Sequence, residues 1–188
     1  MAVAIKTFIA IILCSPAALG DLPGIPTAPF TATGNTHYDV RTTGSIVVDA
    51  QYANATDSNG WTLIPPTLSQ FADTFADDFA DTLGKRVRTR TGNGPQGHSI
   101  FVTLDNCTDY RDAAGRWTSE AYSLEVTNDH VVISGASPLG VWWGTRTVLQ
   151  QATLNGGLLQ VGRGVDSPGW NTRGIFVGRR ELTLKFND

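Results

Sequence analysis

The chain has 188 residues and a formal net charge of −3, from 14 Lys and Arg against 17 Asp and Glu. That balance argues against a nucleic-acid partner, because phosphate binding is driven by clustered cations that release counterions. The length suits one domain with a real core and is too short for two large ones.

Met1 to Lys6 carry one early cation, Thr7 to Cys14 form a short apolar run, and Ser15 to Gly20 are mostly small. That order predicts a secretory signal peptide over residues 1–20 with cleavage near Gly20, and so a secreted or secretory-lumen protein. A membrane anchor needs about 20 apolar residues; this run is shorter and meets Pro16 and Gly20, so no membrane partner is expected. Cys14 departs with the signal, leaving Cys107 without an internal disulfide partner, and the fold must rest on packing. In a secreted chain Asn54-Ala55-Thr56 and Asn106-Cys107-Thr108 become N-glycosylation sequons, at Asn54 and Asn106.

Residues 21–36 hold Pro23, Pro26 and Pro29 with Gly24 and Gly34, a density that predicts an extended leader with regular structure beginning after it. Ser45 to Tyr52 is rich in β-branched and aromatic residues and reads as a strand, closed by a polar loop from Asn54 to Gly60. Pro65-Pro66 opens a helix in which Leu68, Phe71, Phe75, Phe79 and Leu83 recur every three or four residues until Gly84. Its repeat keeps the phenylalanines on one face, because four residues at about 100° each drift only about 40° per turn. Asp73, Asp77 and Asp81 drift together on another face; like charges four apart oppose each other mildly, which favours a water-facing stripe over a cation site. The basic run Lys85 to Arg90 follows this acid-rich segment and reads as a solvated face that balances it.

Ser99 to Leu104 is a second strand. Ala121 to Thr127 and Val131 to Ser134 flank Asn128-Asp129 as a hairpin, with one wet and one buried face along the first arm. Ser137-Pro138 supplies an N-cap and a first-turn proline for a second helix through Ala152. Asn155-Gly156-Gly157 ends it, and Leu158 to Val161 gives a last short strand. Together these elements predict an α+β fold, a two-layer domain over residues 37–165 with two helices on one sheet face, followed by a linker from 166.

Few residues suggest chemistry. His37, His98 and His130 are isolated along the chain, Cys107 has no indicated histidine base, and Glu120, Glu125 and Glu181 have no neighbouring aspartate. No metal-ligand spacing or phosphate-cradling loop occurs, so neither metal nor cofactor is expected. Trp142-Trp143 suggests a sugar-stacking platform, but adjacent helical residues point about 100° apart. At least one of them is therefore expected in the core, and the domain reads as a scaffold.

Ala136 to Gln151, then a short strand, then Val165 to Val177 resemble the junction in β-N-acetylhexosaminidases of the chitobiase and lysosomal hexosaminidase type. There, a hairpin and a helix with a small, aromatic, Gly, x, x, Thr, Leu, x, Gln pattern precede an aspartate-proline linker and an Arg-Gly that opens the first barrel strand. The resemblance implies a β-barrel enzyme that removes terminal N-acetylhexosamine by substrate-assisted catalysis. A glutamic acid would protonate the leaving oxygen while the adjacent aspartate steers the substrate's acetamido group. Arg173 matches the family arginine that binds hydroxyls of the terminal sugar, a role suited to a fixed fork of donors. The pattern departs at Val177, which runs directly into Gly178-Arg179-Arg180 where the family has an acidic residue. A (β/α)₈ barrel takes about 250 residues, so residues 166–188 hold at most its opening fragment and the catalytic Asp-Glu pair is absent from this sequence. The expectation is an N-terminal part without its own catalysis, its glycan partner meeting the missing barrel; the rival is a stand-alone glycan-binding or interaction module.

Overall fold

The computed structural model describes residues 19–22, 28–57, 64–105 and 108–169. In chain order these form β1 (Leu19–Leu22), β2 (Ala28–Asp39), a short 3₁₀ turn at Val40–Thr42, β3 (Ser45–Asp49) and α1 (Leu68–Leu83). There follow β4 (Arg88–Gly92), β5 (Ser99–Leu104), β6 (Tyr122–Val126), β7 (His130–Gly135), α2 (Pro138–Leu154) and β8 (Leu158–Asp166).

Helix α1 starts at Leu68, just beyond the Pro65-Pro66 opening expected from the sequence, because Thr67 is its N-cap. Thr67 accepts from the Gln70 N–H while Gln70 reaches back to the Thr67 N–H, a reciprocal cap that satisfies two orphan donors. Gly84 closes it in the left-handed conformation, φ 68°, which costs a side chain dearly and glycine little. Helix α2 opens on Ser137, whose hydroxyl accepts from the Leu139 N–H, with Pro138 in the first turn.

The described strands make one mixed sheet in the order β1-β2-β8-β6-β7-β5-β3-β4. Pairs β3–β4, β3–β5 and β5–β7 are parallel, and the remainder antiparallel. Ile46, Val48, Ile100, Val102, Val131, Ile133, Leu124 and Val126 point to one side and join Leu68, Phe75, Phe79, Val141, Val148 and Leu149 in a single core. Both helices therefore lie on one face, as the α+β reading expects. Apolar runs such as Ile46-Val47-Val48 fit parallel strands buried on both sides. Val47, on the opposite face, is fully buried. Strands β4 and β5 both run parallel to β3 from its two sides, so the 93–98 connection must return across β3. Arg90 reaches Ser45 and Gln96 there.

Three expectations are corrected. The proline-rich segment read as a leader before any regular structure supplies β1 and β2. Pro29 is tolerated because it lies opposite Asp21, ahead of the β2–β8 register that begins at Thr31. Residues 88–92, read as part of a solvated basic face, form the edge strand β4, whose side chains stay largely exposed while its backbone pairs with β3. The last strand runs on to Asp166 instead of stopping at Val161. Gly162 and Gly164 break the sequence signal, yet a Cβ at either would sit 2.3 Å from the Thr31 carbonyl oxygen or 2.1 Å from that of Pro29. Glycine is what lets β2 approach so closely.

Candidate functional site

Arg173 and Asn106 lie outside the described residues, as do Cys107, most of the expected signal and the segment that would open a barrel. The residues that bear on function are those around α2 and the end of β8, where the chain leaves the sheet.

Helix α2 is drawn hard onto the sheet. A Cβ at Gly140 would lie 2.1 Å from the Ala121 carbonyl oxygen, and one at Gly144 would lie 2.4 Å from a methyl of Ile133. The small residues of the helix motif are thus set by close approach. That seating places Thr147 beside Tyr122 of β6, their hydroxyls 2.6 Å apart. Tyr122 stands directly opposite Asp166 in the β6–β8 register and donates to its carboxylate at 3.1 Å. One residue on, the Ser167 hydroxyl donates to the Arg111 carbonyl at 2.7 Å. The chain exit is therefore fastened to β6, to α2 and to the 108–118 loop at once.

Burial pushes the Asp166 carboxyl above the usual carboxylate range, against the opposing pull of hydrogen bonds from Tyr122 and the Ser167 N–H. Burial, reinforced by the neighbouring Asp166 charge, also lifts the Tyr122 phenol. The raised phenol keeps its proton and donates it to Asp166, so the pair makes a hydrogen-bonded latch where the chain leaves β8. Its chemistry is structural.

The two tryptophans part ways, as the helical angle requires. Trp142 lies 5.3 Å from Phe71, ring centre to ring centre, with the Arg146 guanidinium 3.8 Å above its own ring. Arg146 also pairs with Asp78 of α1, so this stack fastens the two helices together. Trp143 is 40% exposed. Neither ring is sealed in the core, which corrects that expectation: Trp142 is half-buried between the helices because Arg146 covers it. The pair still offers no flat platform for a sugar.

The acidic stripe is also more engaged than its spacing indicates. Asp73 accepts from the Thr89 hydroxyl of β4 at 2.6 Å, while Asp77 and Asp81 are exposed. Histidines far apart in sequence come closer in space: the His98 N–H donates to the Asp129 carbonyl, and the His130 ring lies 3.8 Å from the Asp129 carboxylate. Among the described residues no three His, Cys, Asp or Glu side chains converge as metal ligands. No described helix is long and apolar enough to cross a membrane. Asn54 stands exposed on the turn after β3. The Tyr122–Thr147–Asp166 cluster escaped the sequence reading, since its members are 25 and 44 positions apart and none belongs to a catalytic motif.

The family model for glycosyl hydrolase family 20, domain 2, matches residues 33–162. Among solved structures, the chain is similar to the family 20 β-N-acetylhexosaminidase of Streptomyces coelicolor A3(2), at 22% identity and a TM-score of 0.49, over 77% of this chain and 26% of that one. It is also similar to a mutant Streptomyces plicatus β-hexosaminidase in complex with its product GlcNAc, at 22% identity and a TM-score of 0.49, over 82% and 28%. The Flavobacterium johnsoniae chitobiase aligns at 15% identity and a TM-score of 0.48, over 74% and 19%. The chain spans about a quarter of the length of the first of these structures. No curated protein matches it.

Proposed function

Because the chain belongs to glycosyl hydrolase family 20, with that family's second domain spanning residues 33–162, we propose that it is the non-catalytic N-terminal part of a secreted β-N-acetylhexosaminidase. The enzyme's substrates are chitooligosaccharides or glycoconjugates ending in N-acetylhexosamine. The family match across the sheet and both helices carries this reading.

In that scheme the domain is a supporting platform. Helix α2 and the Tyr122–Thr147–Asp166 latch fix where the chain leaves β8, and Ser167-Pro168 lead toward Arg173-Gly174. A latch on the last strand costs the linker freedom before the barrel begins, which favours one relative placement of the two parts. Arg173 contributes its guanidinium fork to hydroxyls of the terminal sugar. The acid and the acetamido-steering carboxylate belong to the barrel, where the substrate's own acetamido oxygen attacks the anomeric carbon. On this reading Arg173 acts only with the barrel assembled around it, so the 188-residue chain by itself neither retains the sugar nor hydrolyses it.

The purified 188-residue chain, incubated with aryl N-acetylglucosaminide and aryl N-acetylgalactosaminide, is expected to release no chromophore above buffer. Turnover that survives further purification and is lost with the protein on heating would overturn the proposal that catalysis lies elsewhere. Calorimetric titration with chitooligosaccharides is expected to show no saturable heat. Saturable binding would instead favour a stand-alone glycan-binding module.

A further inference from the structure

We infer that Asn54 is an acceptor for an N-linked oligosaccharide, a modification site on the turn that joins β3 to the cap of α1. This rests on the reading that the chain enters the secretory pathway, and it assigns a role the hydrolase reading does not require.

The local structure presents Asn54 outward. Residues 50–55 are folded into successive turns in which the Tyr52 N–H donates to the Asp49 carbonyl and the Ala55 N–H to the Tyr52 carbonyl. The same turns cap the following helix, because the Ala55 and Ala53 carbonyls accept from the Leu68 and Ser69 N–H groups at 3.0 and 3.1 Å. Thr56 then pairs with Thr67 in an isolated antiparallel bridge. The backbone on either side of the sequon is thus held from within, while the side chains of Asn54 and Thr56 are exposed. The Asn54 carboxamide makes no hydrogen bond among the described residues. A glycan there displaces no packed group, and Ala55 is a permitted middle residue.

The transfer balances without any redox partner. The donor is an oligosaccharide carried on a lipid diphosphate, with N-acetylglucosamine at its linked end. The Asn54 amide nitrogen attacks that sugar's anomeric carbon; the bond from carbon to phosphate oxygen breaks, a C–N bond forms, the lipid diphosphate leaves and one amide proton passes to a base. Thr56 supplies the hydroxyl that the acceptor sequence requires.

The test is cell-free synthesis of the full chain with endoplasmic-reticulum vesicles, in its native form and with residues 1–20 replaced by the signal of a protein known to enter. Protease-protected material is deglycosylated enzymatically in heavy-oxygen water, and the peptide containing Asn54 is read by mass spectrometry. The expected result is heavy-oxygen aspartate at position 54, lost in both Asn54→Gln and Thr56→Ala while the far-ultraviolet circular dichroism is unchanged. Protected chain whose Asn54 peptide is wholly unmodified, with the replaced signal in place, overturns the inference. Native chain left outside vesicles that import and glycosylate the replaced-signal form leaves Asn54 standing as an acceptor and overturns the secretion reading alone.

Discussion

Gly140 offers a sharp test of how α2 is seated. Glycine inside a helix is about 1 kcal/mol worse than alanine, so on local grounds Gly140→Ala should stabilise the protein. The tertiary contact opposes that gain. The new methyl would lie 2.1 Å from the Ala121 carbonyl oxygen and 3.1 Å from the Ala121 carbonyl carbon and the Ser119 oxygen. These are backbone atoms, and the Ala121 oxygen already accepts the Ala136 N–H at 2.9 Å. Neither side can yield by a simple rotamer change, so the overpacking cost belongs near the top of its usual range, about 3 kcal/mol. The net expectation is a loss of about 2 kcal/mol. With a urea slope of about 2 kcal/mol/M, the unfolding midpoint should fall by about 1 M. The control is Thr153→Ala, exposed on the same helix, whose hydroxyl only returns to the Leu149 carbonyl one turn back; the propensity gain there should raise stability by a few tenths of a kcal/mol. If Gly140→Ala raises the midpoint as the control does, α2 does not sit against Ala121 and the account of the helix motif is wrong.

Four further outcomes follow from the same contacts. Phe75→Ala removes a fully buried ring packed edge-on against Phe79, and should cost about 3–5 kcal/mol in urea unfolding. Thr67→Ala breaks the reciprocal cap of α1, with an expected loss of about 1 kcal/mol. A double-mutant cycle on Asp78 and Arg146, both partly exposed, should give a coupling of only about 0.5 kcal/mol that shrinks further in 1 M salt. The folded Asp166 carboxyl titrates above its unfolded value, so the native state holds its proton longer. Stability from this group is full below an unfolded pKa of about 3.9 and is lost as pH rises through the folded value. Asp166→Asn should therefore gain relative to the native chain between pH 3 and pH 7, measured as urea midpoints; an unchanged difference would remove the burial argument.

Much of the local structure was legible because its determinants are short-range. The phenylalanine repeat and Gly84 bound α1 at Leu83, and Ser137-Pro138 marked the start of α2. Strand β5 follows directly from its β-branched run, and the hairpin of β6 and β7 from alternation around Asn128-Asp129. Elements whose identity depends on a partner were not legible. Arg88-Thr89-Arg90-Thr91-Gly92 carries no large apolar residue and becomes a strand only because β3 offers it a free parallel edge. β1 and β2 are hidden by prolines that local rules read as breakers. β8 is hidden by glycines that weaken a strand in isolation and are required here by the closeness of β2.

The candidate site divides in the same way. Its helix motif, its aspartate before a proline and the exposed Asn54 were visible as residues in order. Their joint meaning was not: Tyr122, Thr147 and Asp166 meet only when antiparallel pairing sets Tyr122 opposite Asp166 and Gly140 and Gly144 let α2 settle beside them. The sequence by itself determined which segments are helical, the Gly84 stop of α1 and the Ser137 cap of α2, and the resemblance at the junction, because caps, periodicity and motif spacing are properties of neighbours along the chain. The tertiary structure alone decided strand order, the long β8 and the latch at the exit, because those depend on which backbone groups find partners across the sheet.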